Sequence, residues 1–193
     1  MAQLKPMTGD EFVRKILAGE KDFSLIDLLD FDLSSHEGFE ELQRYLKAQK
    51  LIENPLIISY SRFNRLKAKR LYAPYTRCVE ACLKRADFEG ADLNGAYFDE
   101  ANLWRADFEG ADLNGVKFMK ASLEEADLRG ADLRRTNFNG AYLGSADLRA
   151  VRNLREAIDL GHAIFNQTIV TPAEKEIIEK ACERRNPFDL RDC

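Results

Sequence analysis

The sequence predicts an all-β solenoid whose coils have four short sides, with helical elements at its N-terminal end and a capping helix at its C-terminal end. Three observations carry this. From Ala81 to Ala150 the chain reads in fives, beginning ACLKR, ADFEG, ADLNG, AYFDE. In each of these fourteen units the third residue is Leu or Phe, the first is Ala except at Val116 and Thr136, and the second is mostly Asp or Asn. The string RADFEGADLNG stands at 85–95 and again, unchanged, at 105–115, an offset of 20 residues.

A period of five suits neither a helix at 3.6 residues per turn nor a strand at two. A small and a large apolar residue two apart, followed by polar positions, place two inward side chains on a short straight segment and leave the rest to a bend. An offset of four units closes one coil. Stacked coils then share backbone hydrogen bonds at roughly 4.8 Å, the spacing of neighbouring strands. Phe88, Leu93, Phe98, Leu103, Phe108, Leu113, Phe118, Leu123, Leu128, Leu133, Phe138, Leu143 and Leu148 fill the axis, each burial contributing roughly 1.5–3 kcal/mol. Half a coil separates successive phenylalanines from 88 to 118, so Phe88 lies under Phe108, and Phe98 under Phe118 and Phe138.

These units resemble the pentapeptide-repeat family, whose motif is A(D/N)LXX. The resemblance implies a right-handed quadrilateral β-helix. It covers 81–150 cleanly. Copies of the family abound in cyanobacteria, and the resemblance makes such a source an expectation. The outward Asp and Asn then read as structural, bonding nearby backbone, rather than catalytic.

The remaining elements follow in chain order. TGDEFVRKILAG predicts a helix, with Thr8 and Glu11 as a capping box, Phe12, Ile16 and Leu17 as its apolar face, and Gly19 as its stop. In 21–33, Phe23, Leu28 and Leu33 step by five, each preceded by an Asp, which reads as a first coil. Residues 34–52 break the phase. Phe39, Leu42, Leu46 and Leu51 suggest an inserted amphipathic helix, the alternative being that 1–55 is a separate helical domain. From 56 the step of five resumes at Ile58, Phe63, Ala68, Ala73 and Cys78, with large and small residues exchanged at 66/68 and 71/73, a volume compensation in a packed interior. VRNLREA near 151–157 reads as a loop. Units centred on Leu160, Phe165 and Val170 follow. Thr171, Pro172 and Glu174 then begin a helix whose Ile177, Ile178 and Ala181 cover the last coil or pair with a second copy. The tail after it reads as loose. The domains are thus 1–55, 56–172 for the β-helix, and 173–193 for the cap and tail.

The net charge of −4 conceals segregation. Residues 61–85 carry eight basic and one acidic residue, and 86–116 one basic and eight acidic. In a solenoid these blocks become axial bands, a basic collar and an acidic belt. The collar (Arg62, Arg65, Lys67, Lys69, Arg70, Arg77, Lys84, Arg85) suits an anionic partner or simply compensates its acidic neighbour. From the belt, Glu89, Asp99, Glu100 and Glu109 join Arg62, Arg65, Lys67, Lys69, Arg70 and Trp104 as the candidate partner-binding surface. Trp104, outward between Lys84 and Glu124, is either an interface anchor or covers a neighbouring coil. Tyr97 and Tyr142 also point outward.

Chemistry looks absent, and neither a cofactor nor a metal is expected. Cys78 falls inward and Cys82 outward, so the pair does not aim at one ion. His36 and His162 are far apart in sequence, with no nucleophile arrangement, and there is no GxxxxGK phosphate loop. A site between the inserted helix and the coils is the one enzymatic option. No apolar run reaches the ~18 residues of a membrane span, no signal peptide is evident, and four cysteines without a framework suit a reducing compartment, hence the cytoplasm. The expected function is a rigid, non-catalytic scaffold for a protein partner, with direct nucleic-acid binding disfavoured. The alternative, which the resemblance supplies, is a DNA-mimicking inhibitor or protector of a topoisomerase such as gyrase.

Overall fold

A computed structural model describes residues 3–28 and 30–183. The tail expectation for 184–193 lies outside the described residues. The chain winds as a β-helix held by isolated parallel bridges, one per side per coil. Four columns of bridged residues define four faces. Face A carries 22, 57, 77, 97, 117, 137 and 158, and face B 27, 62, 82, 102, 122, 142 and 164. Face C carries 32, 67, 87, 107, 127, 147 and 169, and face D 72, 92, 112, 132 and 152. Chain order makes B the neighbour of A and C, and places B opposite D.

The first and third residues of each unit point inward and leave water. Leu103, Phe108, Leu113, Leu123, Leu128 and their stacked counterparts are essentially fully buried. The phenylalanines form ring stacks along the axis: Phe88 on Phe108 at 5.4 Å, Phe98 on Phe118 at 5.4 Å and Phe118 on Phe138 at 5.7 Å between centroids. Polar residues at inward positions are satisfied by backbone. Thr136 donates to the Leu113 carbonyl at 2.8 Å, and Thr76 to that of Ala73 at 2.7 Å. The fifth residue of each unit turns the corner in the left-handed region, from φ 52° at Asp30 to 69° at Gly115. This explains the recurring Gly there, since a Cβ in that region costs roughly 1–2 kcal/mol.

The N-terminal end is closed by three elements. Strand β1 (Lys5–Pro6) pairs in parallel with β2 (Ile26–Asp27). Helix α1 (Gly9–Leu17) follows, with Thr8 as N-cap accepting from the Glu11 amide. Its buried face is Phe12, Val13 and Ile16 rather than Phe12, Ile16 and Leu17. Val13 turns inward because a second helix lies beside it, a neighbour that sequence spacing alone does not reveal. Phe12 plugs the axis, 4.8 Å from the Phe23 ring and 5.3 Å from Phe63.

Asp22, Asp27 and Asp32 bridge Ile57, Arg62 and Lys67, an offset of 35, and the offset is 20 thereafter up to Asp132–Arg152. The 15 extra residues of the first turn hold α2 (Phe39–Lys47), shorter than the 34–52 stretch suggests. Helix α2 stands where the first coil lacks its fourth side. Leu42 and Leu46 are buried there, and the Gln43 amide does the work of a missing strand. Its Nε2 donates to the Arg70 carbonyl at 2.6 Å and its Oε1 accepts from the Tyr72 amide at 2.7 Å.

At the other end the step stretches to 21 and then 22. The extra residues are taken up in short 3-10 turns at Leu154–Glu156 and Leu160–His162. The segment read as a loop therefore still pairs, through Arg152, and buries Leu154. Helix α3 (Pro172–Glu183) lies over the last turn, so closely that a Cβ on Gly161 would meet the Ala181 carbonyl oxygen at 2.4 Å. Ile178 is buried, and Ile177 and Ala181 pack against the core. The outer residues of α3 are charged and paired, Lys175 with Glu179 and Lys180 with Glu176. The apolar face that a homodimer through this helix would use is thus taken by the last coil.

Glu174 ties the cap to the coil, accepting from the Ala150 amide at 3.1 Å and from the Thr171 amide and hydroxyl. Burial pushes its carboxyl pKa up, but the hydrogen bonds from Thr171 and Ala150 outweigh this and hold it below the usual value of 4.5. A carboxyl lowered on folding stabilises fully above its unfolded pKa and loses that contribution as pH falls through the folded one. Glu174→Ala is accordingly expected to cost about 1 kcal/mol at neutral pH, as for loss of a helix cap. In urea unfolding, the difference from wild type should shrink below pH 4.5.

Candidate interaction surface

Outward residues fall into columns one coil apart, so the surface is set by which columns share a face. The ten residues of the predicted surface occupy three faces. Lys67, Lys69, Arg70, Glu89 and Glu109 belong to face C, Arg62, Arg65 and Trp104 to face B, and Asp99 and Glu100 to face A. They therefore do not form one surface. Sequence blocks give axial bands, but the position within the unit and the side of the coil distribute each band around the rod.

Much of the collar is compensated. Arg62 meets Asp27 at 3.0 Å, Arg65 meets Asp30 at 3.5 Å and Lys67 meets Asp32 at 3.2 Å, all three carboxylates from the turn below. Lys69 lies 3.4 Å from Asp87 and 2.5 Å from Glu89. The hydrogen bond to Glu89 leads in raising its pKa, and Glu89 is lowered in return. Glu109 pairs with Arg129 at 2.6 Å, and Glu100 with Lys120 at 3.8 Å. Exposed pairs of this kind contribute little stability individually, but they remove charge that a partner could read.

The acidic belt does not encircle the rod. Asp87, Glu89, Asp107 and Glu109 lie on face C and Asp92 and Asp112 on face D, while face B at the same height carries Lys84, Arg85 and Arg105. Asp107 is raised by burial and by its neighbours Asp87, Asp127 and Glu89, the backbone bond from Glu109 opposing. Asp87, Glu89 and Asp107 come within 4.8 Å of one another, but the Lys69 ammonium already lies against the first two. On face C and elsewhere the Asp or Asn of the unit accepts from the amide two residues on, as in Asp107 to Glu109 at 2.9 Å. That is the backbone role the repeats suggest.

Trp104 lies over its neighbours, half-buried. It stacks under Arg105 at 4.3 Å and against Arg85 at 5.1 Å, and its indole N–H donates to Glu125 at 3.1 Å. Its companions are fifth-position residues, not Lys84 and Glu124, because the indole leans along the corner. Tyr97 is flanked by Lys117 at 4.6 Å and Arg77 at 5.9 Å, and Tyr142 is exposed. The offset of 20 that links 85 to 105 is the signal that finds Arg85 and Arg105 as neighbours of Trp104.

The enzymatic option between α2 and the coils has no polar basis. The space enclosed there is about 30 Å³, lined by apolar residues including Leu42, Leu46, Leu71 and Phe88. His36 accepts from the Gly38 amide at 2.9 Å and faces Asp10 at 3.1 Å, linking α1 to the start of α2. Burial drives the Cys78 thiol pKa up and keeps it unreactive.

A family model for pentapeptide repeats matches residues 81–119 and 117–152, with eight copies. This segment belongs to the pentapeptide-repeat family. Among solved structures, the pentapeptide-repeat protein Rfr23 from the cyanobacterium Cyanothece 51142 is 17% identical, over 77% of this chain and 97% of its own, with a TM-score of 0.38. HetL, a pentapeptide-repeat protein involved in heterocyst differentiation regulation in the cyanobacterium Nostoc sp. strain PCC 7120, is 22% identical over 84% and 92%, with a TM-score of 0.27. Full-length QnrB1, a plasmid-mediated fluoroquinolone resistance protein, is 12% identical over 94% and 98%, with a TM-score of 0.26. No curated protein sequence matches. Among the described residues, no helix is long and apolar enough to cross a membrane.

Proposed function

We propose that this pentapeptide-repeat chain is a rigid, non-catalytic scaffold that binds a protein partner through outward side chains fixed in columns. The observation that carries the reading is the contrast between interior and surface. The axis is filled by ring stacks and aliphatic layers with no room for a substrate, while each face displays a different, regularly spaced set of side chains. Stacked coils hold such a set with little entropy left to lose on binding. Residues 1–55 are taken as part of the same scaffold, since their aspartates extend columns A, B and C. Cys78 and Cys82 are free thiols, but Cys182 is disulfide-bonded, so cysteine usage does not favour the reducing compartment that the sequence suggests.

The experiment is affinity capture from the native host with wild type and with charge-reversed variants of single faces. A discrete set of proteins lost on altering one face and kept on altering the opposite face is expected. Capture indifferent to every face would overturn the scaffold reading. The DNA-mimic alternative needs a continuous acidic rod. Lys69 and Arg129 bracket the face C carboxylates, and Arg105 breaks the belt on face B, so a gyrase supercoiling assay at micromolar protein is expected to show neither inhibition nor protection.

A further inference from the structure

We infer that the N-terminal half of face B is the docking surface, and that its partner is an acidic segment of another protein with apolar residues among its carboxylates. The inference rests on the scaffold reading and specifies the site. Two edges flank this face. On the B/C edge, Arg65, Arg85 and Arg105 follow one another at one-coil intervals, as the amide of Arg65 bonding the Lys84 carbonyl and that of Arg85 bonding the Trp104 carbonyl require. Arg65 is matched by Asp30 and Arg105 by Glu125. Lys84 and Arg85 are exposed, and no described carboxylate comes within ion-pair distance of either. Arg85 lies over the Trp104 ring at 5.1 Å and feels Glu125 only at longer range, so the positive charge of Lys84 and Arg85 beside that half-buried ring is complementary to a carboxylate brought by a partner.

The A/B edge supplies the second observation. Its corners at Leu25 and Tyr60 are stacked one above the other, at φ 61° and 58°. Leu25 is 36% exposed and Tyr60 50%. A bulky apolar side chain at such a corner is unfavourable twice. Its backbone sits where Gly is preferred, and its apolar surface stays in water. Tyr75, at another such corner, covers Gly95, whereas no described ring stacks on Tyr60. The edge then turns acidic at Glu80 and Glu100, and face B does so at Glu124 and Glu125, which sets the upper bound of the patch. The apolar groups at Leu25 and Tyr60 and the cations at Lys84 and Arg85 lie diagonally across face B, the cations one strand-side over and one coil up from Tyr60, and fit an extended segment that carries both apolar and acidic residues.

Trp104 is the sole tryptophan of the chain, so its fluorescence reports the site directly. A short peptide alternating Glu and Leu is titrated against the full chain, beside its Lys–Leu counterpart and single-stranded oligo-dT. The expected result is saturable binding of the Glu–Leu peptide with a shift in Trp104 emission. Lys84→Glu with Arg85→Glu should weaken it at least about tenfold, the size of one lost charge-assisted contact. Tyr60→Gly should weaken it while leaving the melting temperature equal or higher, which a merely structural tyrosine would not do. Equal binding of the Lys–Leu peptide, preference for oligo-dT, or indifference to all three substitutions would overturn the assignment. Capture that depends on face D while the peptide ignores face B would remove this surface and leave the scaffold reading standing.

Discussion

Leu113→Lys is expected to lower stability by at least about 4 kcal/mol, the loss of a well-packed leucine plus the burial of an unpaired charge. Leu113 is fully buried. Its backbone carbonyl already accepts the Thr136 hydroxyl at 2.8 Å, so no local acceptor is waiting for an ammonium. The neighbouring positions carry packed rings, Phe108 lying edge-on to Phe118 at 5.8 Å, and cannot open a path to water without breaking a turn. A solenoid also reports the damage in a distinctive way. Each coil touches only the coils beside it, so the chain should melt in two steps, with turns on either side of the lesion losing cooperativity. An unchanged melting temperature would refute the inward placement of the third unit residue.

Gln43→Leu is expected to cost about 2–4 kcal/mol although it adds apolar volume beside an apolar helix face. The substitution orphans the Tyr72 N–H and the Arg70 carbonyl, and each buried backbone group left unpaired costs about 1–3 kcal/mol. Gln43→Glu should fall between the two, because a carboxylate still accepts from Tyr72 but offers Arg70 nothing. Native-state hydrogen exchange makes the test local. The Tyr72 amide should exchange much faster in Gln43→Leu, while the Asp112 amide, bonded to Ala91 at 2.9 Å, should keep its protection. Equal exchange at Tyr72 in wild type and variant would show that the amide mimicry carries no weight.

The axis of this fold was legible from residue type alone. Ala at the first position and Leu or Phe at the third leave the interior no second arrangement, and the identical strings 20 residues apart state the coil length outright. Even the degenerate stretch from Leu56 to Cys78 can be followed, because volume is conserved when large and small exchange places. The role of Gln43 was not legible. A glutamine on a helix has no period, and its bonds depend on how that helix sits across a gap 27 to 29 residues further along the chain. Val13 was missed for the same reason, its burial depending on a neighbour and not on its own spacing. The candidate surface was read in bands because charge runs are visible along the sequence. Faces are visible only when every fourth unit is aligned, and that alignment separates Lys69 from Trp104 and brings Arg85 to it.

The change of pairing offset from 35 to 20, and later to 21 and 22, has a meaning for what this architecture can carry. A turn that swallows 15 additional residues returns the chain to its lattice with every later column in phase, and single-residue additions near Asn153 and Asp159 are absorbed as readily. Position along the rod is counted in corners, not in residues. Cargo of arbitrary length, whether a helix, a loop or a grafted epitope, can therefore leave at one corner and rejoin at the next, and the turns beyond it will be wound as though nothing had been added.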